Sequence, residues 1–117
     1  MSDKLKGAKR APITYYSEGA TGKVVVRWVE PPEGYSEAGV ITMYPGAVLK
    51  GGYQDYFEER KVLKGEVIYV NYKGTKKYTP ESDMLCVERS AIATCYNNSN
   101  VEVEIYFQIK KPYNKKK

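Results

Sequence analysis

The chain has 117 residues, of which 42% are hydrophobic and 28% are charged, and this suits a single globular domain. It contains no histidine, which excludes Ser-His and Cys-His nucleophile pairs, histidine general bases and histidine-ligated metal sites. No apolar run approaches the roughly 20 residues of a membrane-spanning helix, and the basic first ten residues are not followed by the apolar segment of a secretory signal. We therefore expect a cytoplasmic protein that is not an enzyme and does not bind membranes.

The net charge of +5 is concentrated at the two ends of the chain. The first ten and last ten residues hold nine Lys and Arg against one acid, whereas residues 11–107 hold ten against thirteen. We expect residues 1–11 and 111–117 to be disordered basic tails and residues 12–110 to form a single β-barrel domain.

Short segments with β-branched and aromatic residues recur between turns that contain Pro and Gly. Strands are predicted at residues 13–16, 23–29, 47–49, 66–72, 84–87, 91–96 and 101–109. Residues 30–44 are predicted to be a mobile polar loop that ends in an apolar stretch, and residues 53–61 fit a strand, a turn or a short helix. No helical period of useful length is present. The pattern predicts an all-β fold of seven or eight short strands, in a barrel or a sandwich.

The last predicted strand alternates strictly between apolar and polar residues. One face carries Val101, Val103, Ile105, Phe107 and Ile109, and the other carries Glu102, Glu104, Tyr106 and Gln108. We expect the apolar face to cover the chain's own barrel or to add to a neighbour's sheet.

Few residues are grouped in a pattern that would support catalysis or metal binding. Glu102 and Glu104 point the same way and suit a cation or acid–base work, although alternating Glu is typical of a solvated strand face. Cys86 and Cys95 are expected on neighbouring strands, as two reduced thiols rather than a disulfide. We therefore predict no catalytic residue, no metal site and no bound cofactor.

The order of several segments resembles that of the GroES-type co-chaperonins. Residues 22–30 followed by 38–42 are similar to the first strand and the mobile loop of that family. Residues 63–69 with 72–75, and then 85–92, are similar to its later segments, in the correct order over residues 12 to 96. Ala38, Thr42 and Ala91 depart from the family pattern, and such divergence resembles phage-encoded members, which implies a host cytoplasm.

This resemblance implies an irregular β-barrel with an extra C-terminal strand, assembled into a ring of seven subunits. The ring would cap a GroEL-type chaperonin and assist protein folding, with ATP bound by the chaperonin and not by this chain. The residues implied to bind the chaperonin are Gly39, Val40, Ile41, Thr42 and Met43. Those implied to form the subunit interface are Ile13, Thr14, Tyr15 and Tyr16 of one subunit with Ala91, Ile92, Ala93, Thr94 and Cys95 of the next.

Two alternatives remain open beside the co-chaperonin. A non-enzymatic β-sandwich structural or assembly protein, such as a virion component, would explain the apolar end of the loop and the amphipathic last strand. A single-strand nucleic-acid binder would explain the twelve tyrosines. Nucleic acid is not the expected partner, because the tyrosines are scattered and the body of the chain is acidic.

Overall fold

A computed structural model describes residues 13–14, 22–50, 57–87 and 93–110. These residues contain ten strands and no helix. The strands are β1 (Ile13–Thr14), β2 (Val24–Val29), β3 (Glu37–Met43), β4 (Val48–Lys50), β5 (Phe57–Lys64), β6 (Val67–Asn71), β7 (Gly74–Tyr78), β8 (Leu85–Val87), β9 (Ala93–Tyr96) and β10 (Val103–Lys110). The predicted all-β class is confirmed.

The strands form two antiparallel sheets that face each other across one core. One sheet has six strands in the order β1-β2-β3-β10-β5-β8, and the other has four in the order β4-β9-β6-β7. Buried side chains of both sheets, including Ile41 and Ile105 from the first and Leu49 and Val67 from the second, belong to the same hydrophobic cluster. The described residues therefore form two facing sheets and not the closed GroES-like barrel that the resemblance implies.

Strand β10 lies at the centre of the six-stranded sheet, between β3 and β5. Its alternation is confirmed, because its apolar side chains are buried and those between them are half-buried. Val101 is an exception: it precedes the strand and is exposed. Opposite β10, the register skips Leu63 in β5, and this bulged residue is exposed.

The register across this sheet decides which residues of β5 face the core. Phe107 of β10 lies opposite Gly39 on one side and Arg60 on the other. Because side chains alternate along a strand, Glu58, Arg60 and Val62 share the face that packs toward the four-stranded sheet. The inner face of this sheet therefore places the charged side chains of Glu58 and Arg60 inside the sandwich.

Asn97 joins three segments at one end of the sandwich and is fully buried. Its Nδ2 donates hydrogen bonds to the carbonyl oxygens of Met43 and Val101, both at 2.9 Å. Its Oδ1 accepts hydrogen bonds from the backbone N–H of Ser99 at 3.0 Å and from the Ser99 hydroxyl at 2.7 Å. These four hydrogen bonds tie the end of β3 to the segment that precedes β10 and give the buried amide the partners that a buried polar group requires.

Residues 37–43 differ from the prediction of a mobile loop. They form β3, whose backbone pairs with β2 on one edge and β10 on the other. Only residues 30–36 connect β2 to β3, and Ser36 is tied down by hydrogen bonds to the carbonyl oxygen of Ile109. The apolar stretch at the end of the predicted loop is explained by burial in the chain's own core.

Two further strands correct the sequence interpretation. Of residues 53–61, which fitted a strand, a turn or a short helix, residues 57–61 belong to strand β5, and residues 53–56 lie outside the described residues. Residues 74–78 form β7 although lysine and glycine disfavour strands, because an edge strand needs pairing on one side only. Cys86 and Cys95 lie in different sheets, so they are not on neighbouring strands, and Cys95 is a free thiol. The two predicted tails lie outside the described residues.

The described residues contain no helix that is long and apolar enough to cross a membrane.

Candidate functional site

A buried ion pair lies inside the sandwich, on the inner face of β5. Nε of Arg60 donates a hydrogen bond to Oε2 of Glu58 at 2.8 Å, and the two side chains are only 13% and 5% exposed. The two residues are neighbours on one strand face because they are separated by one position. In the described part of the chain, Glu58 is the one hydrogen-bonding or ion-pairing partner of this guanidinium.

The four-stranded sheet supplies the groups that face this pair. Tyr69 of β6 and Cys95 of β9 are directly opposite each other in the register, and both are buried. Tyr78 of β7 meets the ring of Tyr69 edge-on, with ring centroids 6.0 Å apart. Leu85 and Ala93 complete a small cluster with these rings. The phenol of Tyr69 and the thiol of Cys95 are thus close enough to the ion pair for the charge of Arg60 to act on them.

The charge of Arg60 acts on both of these groups. Burial raises the pKa of the Tyr69 hydroxyl and of the Cys95 thiol, and the positive charge of Arg60 opposes that shift in each case. Burial alone would lower the pKa of Arg60, but the neighbouring Glu58 carboxylate outweighs it and raises this pKa. At neutral pH the cluster thus holds a charged guanidinium together with a protonated phenol and a protonated thiol.

Hydrogen-bond donors dominate this cluster. The Nη edge of Arg60 carries four N–H groups, and Tyr69 and Cys95 each carry one further proton. No hydrogen bond of the Tyr69 hydroxyl is found among the described residues, although the side chain is buried. Such an arrangement suits a ligand rich in acceptor oxygens, because unpaired buried donors are costly.

The residues implied to bind a chaperonin do not form an exposed loop. Gly39, Val40, Ile41, Thr42 and Met43 all lie in β3, and all except Val40 are buried. Ile41 and Met43 face the core, where they contribute to packing. An apolar residue committed to the core is not available to dock on a partner.

The residues implied to form the subunit interface fall in different parts of the fold. Ile13 and Thr14 form β1, which pairs with β2 of the same chain. Ala93, Thr94 and Cys95 lie in β9, whose two edges pair with β4 and β6, so β9 has no free edge for a neighbouring subunit. Tyr15, Tyr16, Ala91 and Ile92 lie outside the described residues.

Sequence reasoning missed the interior pair. Glu58 and Arg60 stood in the segment of ambiguous structure, within a run of charged residues that is typical of a solvent-exposed element. The available signal was the short spacing of two opposite charges immediately before an apolar segment. Glu58 and Arg60 share the inner face of the sheet because this segment is a strand, in which residues two positions apart point to the same side.

The fold, but not the sequence, matches known proteins. No protein-family model matches the chain, and no curated protein does. A predicted oxalate decarboxylase from Thermotoga maritima matches with a TM-score of 0.75 and 15% identity, over 91% of this chain and 96% of that one. The cupin domain of an XRE-family transcriptional regulator from Enterobacter cloacae matches with a TM-score of 0.67 and 19% identity, over 77% and 98% of the two chains. An ectoine synthase from P. lautus matches with a TM-score of 0.65 and 15% identity, over 80% and 67%.

These structures overturn the co-chaperonin hypothesis. They share a cupin fold and are not GroES-type proteins, so the predicted capping function, the ring of seven and the GroEL-type partner are wrong. The alternative hypothesis of a β-sandwich protein was closer to the observed architecture of two sheets. Strands separated by polar turns are common to many small β folds, and this explains how an ordered set of weak similarities was misleading.

The exclusion of enzymes is also wrong. Structures that share this fold are named as an ectoine synthase and as a sugar phosphate isomerase, so the fold does not argue against catalysis. Lack of histidine removes one set of catalytic groups but leaves acids, phenols and guanidinium groups available.

A metal ion of the kind that cupin proteins often hold does not fit the residues that the structure describes. The chain has no histidine, and the described residues contain no group of three or more Cys, Asp and Glu side chains that would hold a metal. The donors of the interior cluster attract anions, whereas a metal cation requires acceptor ligands. The chain thus has a cupin fold whose interior is lined by an ion pair, a phenol and a thiol.

Proposed function

We propose that the protein binds a small organic anion inside the sandwich, through the Nη edge of Arg60 and the hydroxyl of Tyr69. The observation that carries this proposal is a buried guanidinium with only its Nε group engaged by the described residues. A carboxylate is the ligand that best suits the remaining edge, because two parallel N–H groups match its two oxygens.

Glu58 prepares Arg60 for this role. It holds the guanidinium by Nε and thereby fixes the direction of the Nη edge. The pair is neutral as a whole, which makes it tolerable inside the fold when no ligand is bound. A buried N–H without an acceptor costs free energy, so a carboxylate would supply acceptors that the described residues do not provide.

Tyr69 supplies a donor from the opposite sheet. Burial keeps its hydroxyl protonated at neutral pH, so it donates to an anion and does not repel it. It is also the group of this site that can give a proton to a bound ligand, should the protein convert what it binds. The proposed site uses side chains alone and needs no cofactor.

The first ligand to try follows from the comparisons. One structure of the same fold is named as a predicted oxalate decarboxylase, and oxalate is a small anion with four acceptor oxygens. A cytoplasmic location belongs to this proposal as well, since the free thiol of Cys95 is in keeping with a reducing compartment.

The test is ligand-dependent stabilisation of the full-length protein. Thermal unfolding is measured with oxalate, malonate, succinate and inorganic phosphate, and binding of the most stabilising anion is then measured by calorimetry. A ligand present at a hundred times its Kd stabilises the folded state by about 2.7 kcal/mol, which is readily measured. Lack of stabilisation by every anion of this panel would overturn the proposal.

Three variants locate the site. Tyr69→Phe keeps the ring and removes the hydroxyl, and we expect it to weaken binding by about 1 kcal/mol. The double variant Glu58→Leu/Arg60→Met replaces the whole pair with apolar groups, which preserves folding, and should abolish binding. Lys64→Met removes one exposed positive charge from the end of the same strand and should leave the affinity unchanged. Equal affinities in all three variants would place the anion elsewhere on the protein.

A further inference from the structure

The connection between β6 and β7 is a tight hairpin with an exposed aromatic ring at its tip. Asn71 pairs with Gly74, which leaves Tyr72 and Lys73 as a two-residue turn. The backbone N–H of Lys73 donates a hydrogen bond to Oδ1 of Asn71 at 2.9 Å, and Gly74 adopts a φ of 130° that few other residues tolerate. This rigid turn holds the Tyr72 side chain 82% exposed.

Residues 71–78, named here the lysine hairpin, carry three positive charges and no acid. Lys73, Lys76 and Lys77 are all exposed. Only Lys77 has an acidic partner in the described chain, Glu66 at 3.8 Å, and the two side chains are 57% and 48% exposed. An exposed pair at this distance neutralises little of the charge. The hairpin is therefore a local basic surface on a body that is acidic overall.

Cations and rings lie side by side along this hairpin. Nζ of Lys73 is 5.7 Å from the centroid of the Tyr72 ring, and Nζ of Lys76 is 5.2 Å from that of Tyr78. A ring on which a base can stack, flanked by ammonium groups that can reach phosphates, is the arrangement by which proteins bind single strands. Tyr72 and Tyr78 already stand beside lysines in the sequence, and the hairpin adds the exposure of the Tyr72 ring at the tip of a turn.

Protection of a sheet edge explains part of this surface. Strand β7 is an outer strand of the four-stranded sheet, and lysines on such a strand prevent pairing with other chains. That role accounts for Lys76 and Lys77, which lie in the strand. It does not account for Tyr72, since the tip of the turn has no strand edge to protect and an exposed ring adds apolar surface there.

We propose that the lysine hairpin binds single-stranded nucleic acid, with a base stacked on Tyr72 and phosphates bound by Lys73 at the tip and by Lys76 and Lys77, which project from opposite faces of the edge strand β7. The charge complementarity selects a polyanion, and the exposed ring selects one whose bases are free to stack. This surface uses none of the residues of the interior anion site.

The test measures binding of fluorescent ten-nucleotide oligo(dT) and oligo(U) to the full-length protein at several salt concentrations. The variant Lys73→Gln/Lys76→Gln/Lys77→Gln should lower the slope of log K against log salt by about 2, the loss expected for three phosphate contacts on a single strand. Tyr72→Ala should weaken binding about tenfold with the slope unchanged, because it removes a stacked base and no charge. A duplex of equal length should bind more weakly than either oligonucleotide.

A charge-matched variant controls for diffuse electrostatics. Lys23→Gln/Lys50→Gln/Lys64→Gln removes three exposed lysines from other parts of the surface and should lower the slope by less than one. Equal losses in the two triple variants, or no detectable binding by the original protein, would overturn the proposal. So would competition by polyglutamate combined with full activity of Tyr72→Ala, an outcome that would point to an acidic protein partner.

Discussion

The ring of Phe107 occupies the space into which a side chain at Gly39 would project. A Cβ at position 39 would lie 2.8 Å from this ring and 2.8 Å from the carbonyl oxygen of Arg27. Trp28 meets the same ring edge-on, with centroids 5.7 Å apart. Lack of a side chain at one position of β3 thus lets two large aromatic residues of its neighbouring strands pack on the inner face of the sheet.

The first prediction concerns this contact. Gly39→Ala should destabilise the protein by about 1–3 kcal/mol, because the added methyl group displaces the Phe107 ring or shifts the backbone. The free energy of unfolding in urea measures the effect. Adding Phe107→Leu should recover part of the loss, since the two positions share one space. Strict additivity of the two changes would show that the ring does not oppose a side chain at position 39.

The second prediction concerns the interior ion pair. Glu58→Ala should cost about 3–5 kcal/mol, because it leaves a buried guanidinium without its counter-charge. The double variant Glu58→Leu/Arg60→Met should lie within about 1.5 kcal/mol of the original protein, as both charges are removed together. Urea unfolding at pH 7 compares the two. A single variant that is no less stable than the double variant would contradict the buried pairing.

The third prediction concerns Asn97. Asn97→Ala should destabilise the protein by about 2–4 kcal/mol, because two carbonyl oxygens and the N–H of Ser99 lose a buried partner. Asn97→Asp places a carboxylate against the carbonyl oxygens of Met43 and Val101 and should be least stable when it is ionised. The stability of this variant should therefore rise as the pH falls from 7 to 4. Ser99→Ala is the milder control, because the hydrogen bonds that its hydroxyl donates are less buried than those of Asn97.

The fourth prediction concerns acid stability on the outer face of the six-stranded sheet. Hydrogen bonds donated by Tyr35 at 2.6 Å and Gln108 at 2.7 Å lower the pKa of Glu59, and the charge of Lys110 adds to this. A lowered folded-state pKa contributes stability that is present above the unfolded pKa of about 4.3 and is lost as the pH falls through the folded value.

Tyr35→Phe removes the hydrogen bond that lowers the pKa of Glu59 the most. Its stability deficit relative to the original protein should be present at pH 7 and shrink below pH of about 4, as Glu59 becomes protonated. Tyr106→Phe, which loses a hydrogen bond to Gln108 on the same face, is the matched control and should show a deficit that varies less with pH. A Tyr35→Phe deficit that stays constant from pH 7 to 3 would speak against the contact.

The fifth prediction concerns the thiol beside Arg60. Burial raises the pKa of Cys95 despite the nearby positive charge, so little thiolate is available in the folded state. In a Cys86→Ser background, Cys95 should not react with a disulfide reagent at pH 8 in the native protein but should react at an ordinary rate in concentrated urea. Rapid reaction of the native protein would contradict the raised pKa of the Cys95 thiol.

Local sequence patterns determined the β class and the amphipathic character of β10. Alternation in β10 and β-branched runs such as Val24–Val29 depend on neighbours along the chain, so they can be recognised without tertiary structure. The same local logic placed the apolar residues 39–43 in a loop, because a Pro/Gly-rich segment precedes them. Pairing with β2 and β10 overrides that context, since two rows of backbone hydrogen bonds and burial outweigh local preference.

The interior site depends on residues that only the tertiary structure brings together, whereas the residues of the lysine hairpin are neighbours along the chain. Arg60 and Tyr69 belong to different sheets, and their approach results from the packing of the two layers, which no spacing along the chain encodes. Within residues 53–61, sequence left a strand, a turn and a helix equally open, and the choice of strand is what directs Glu58 and Arg60 inward. Composition alone was enough to exclude histidine chemistry, because the chain has no histidine. The position of the Glu58 and Arg60 charges inside the sandwich was decided by strand register and by the packing of the two sheets.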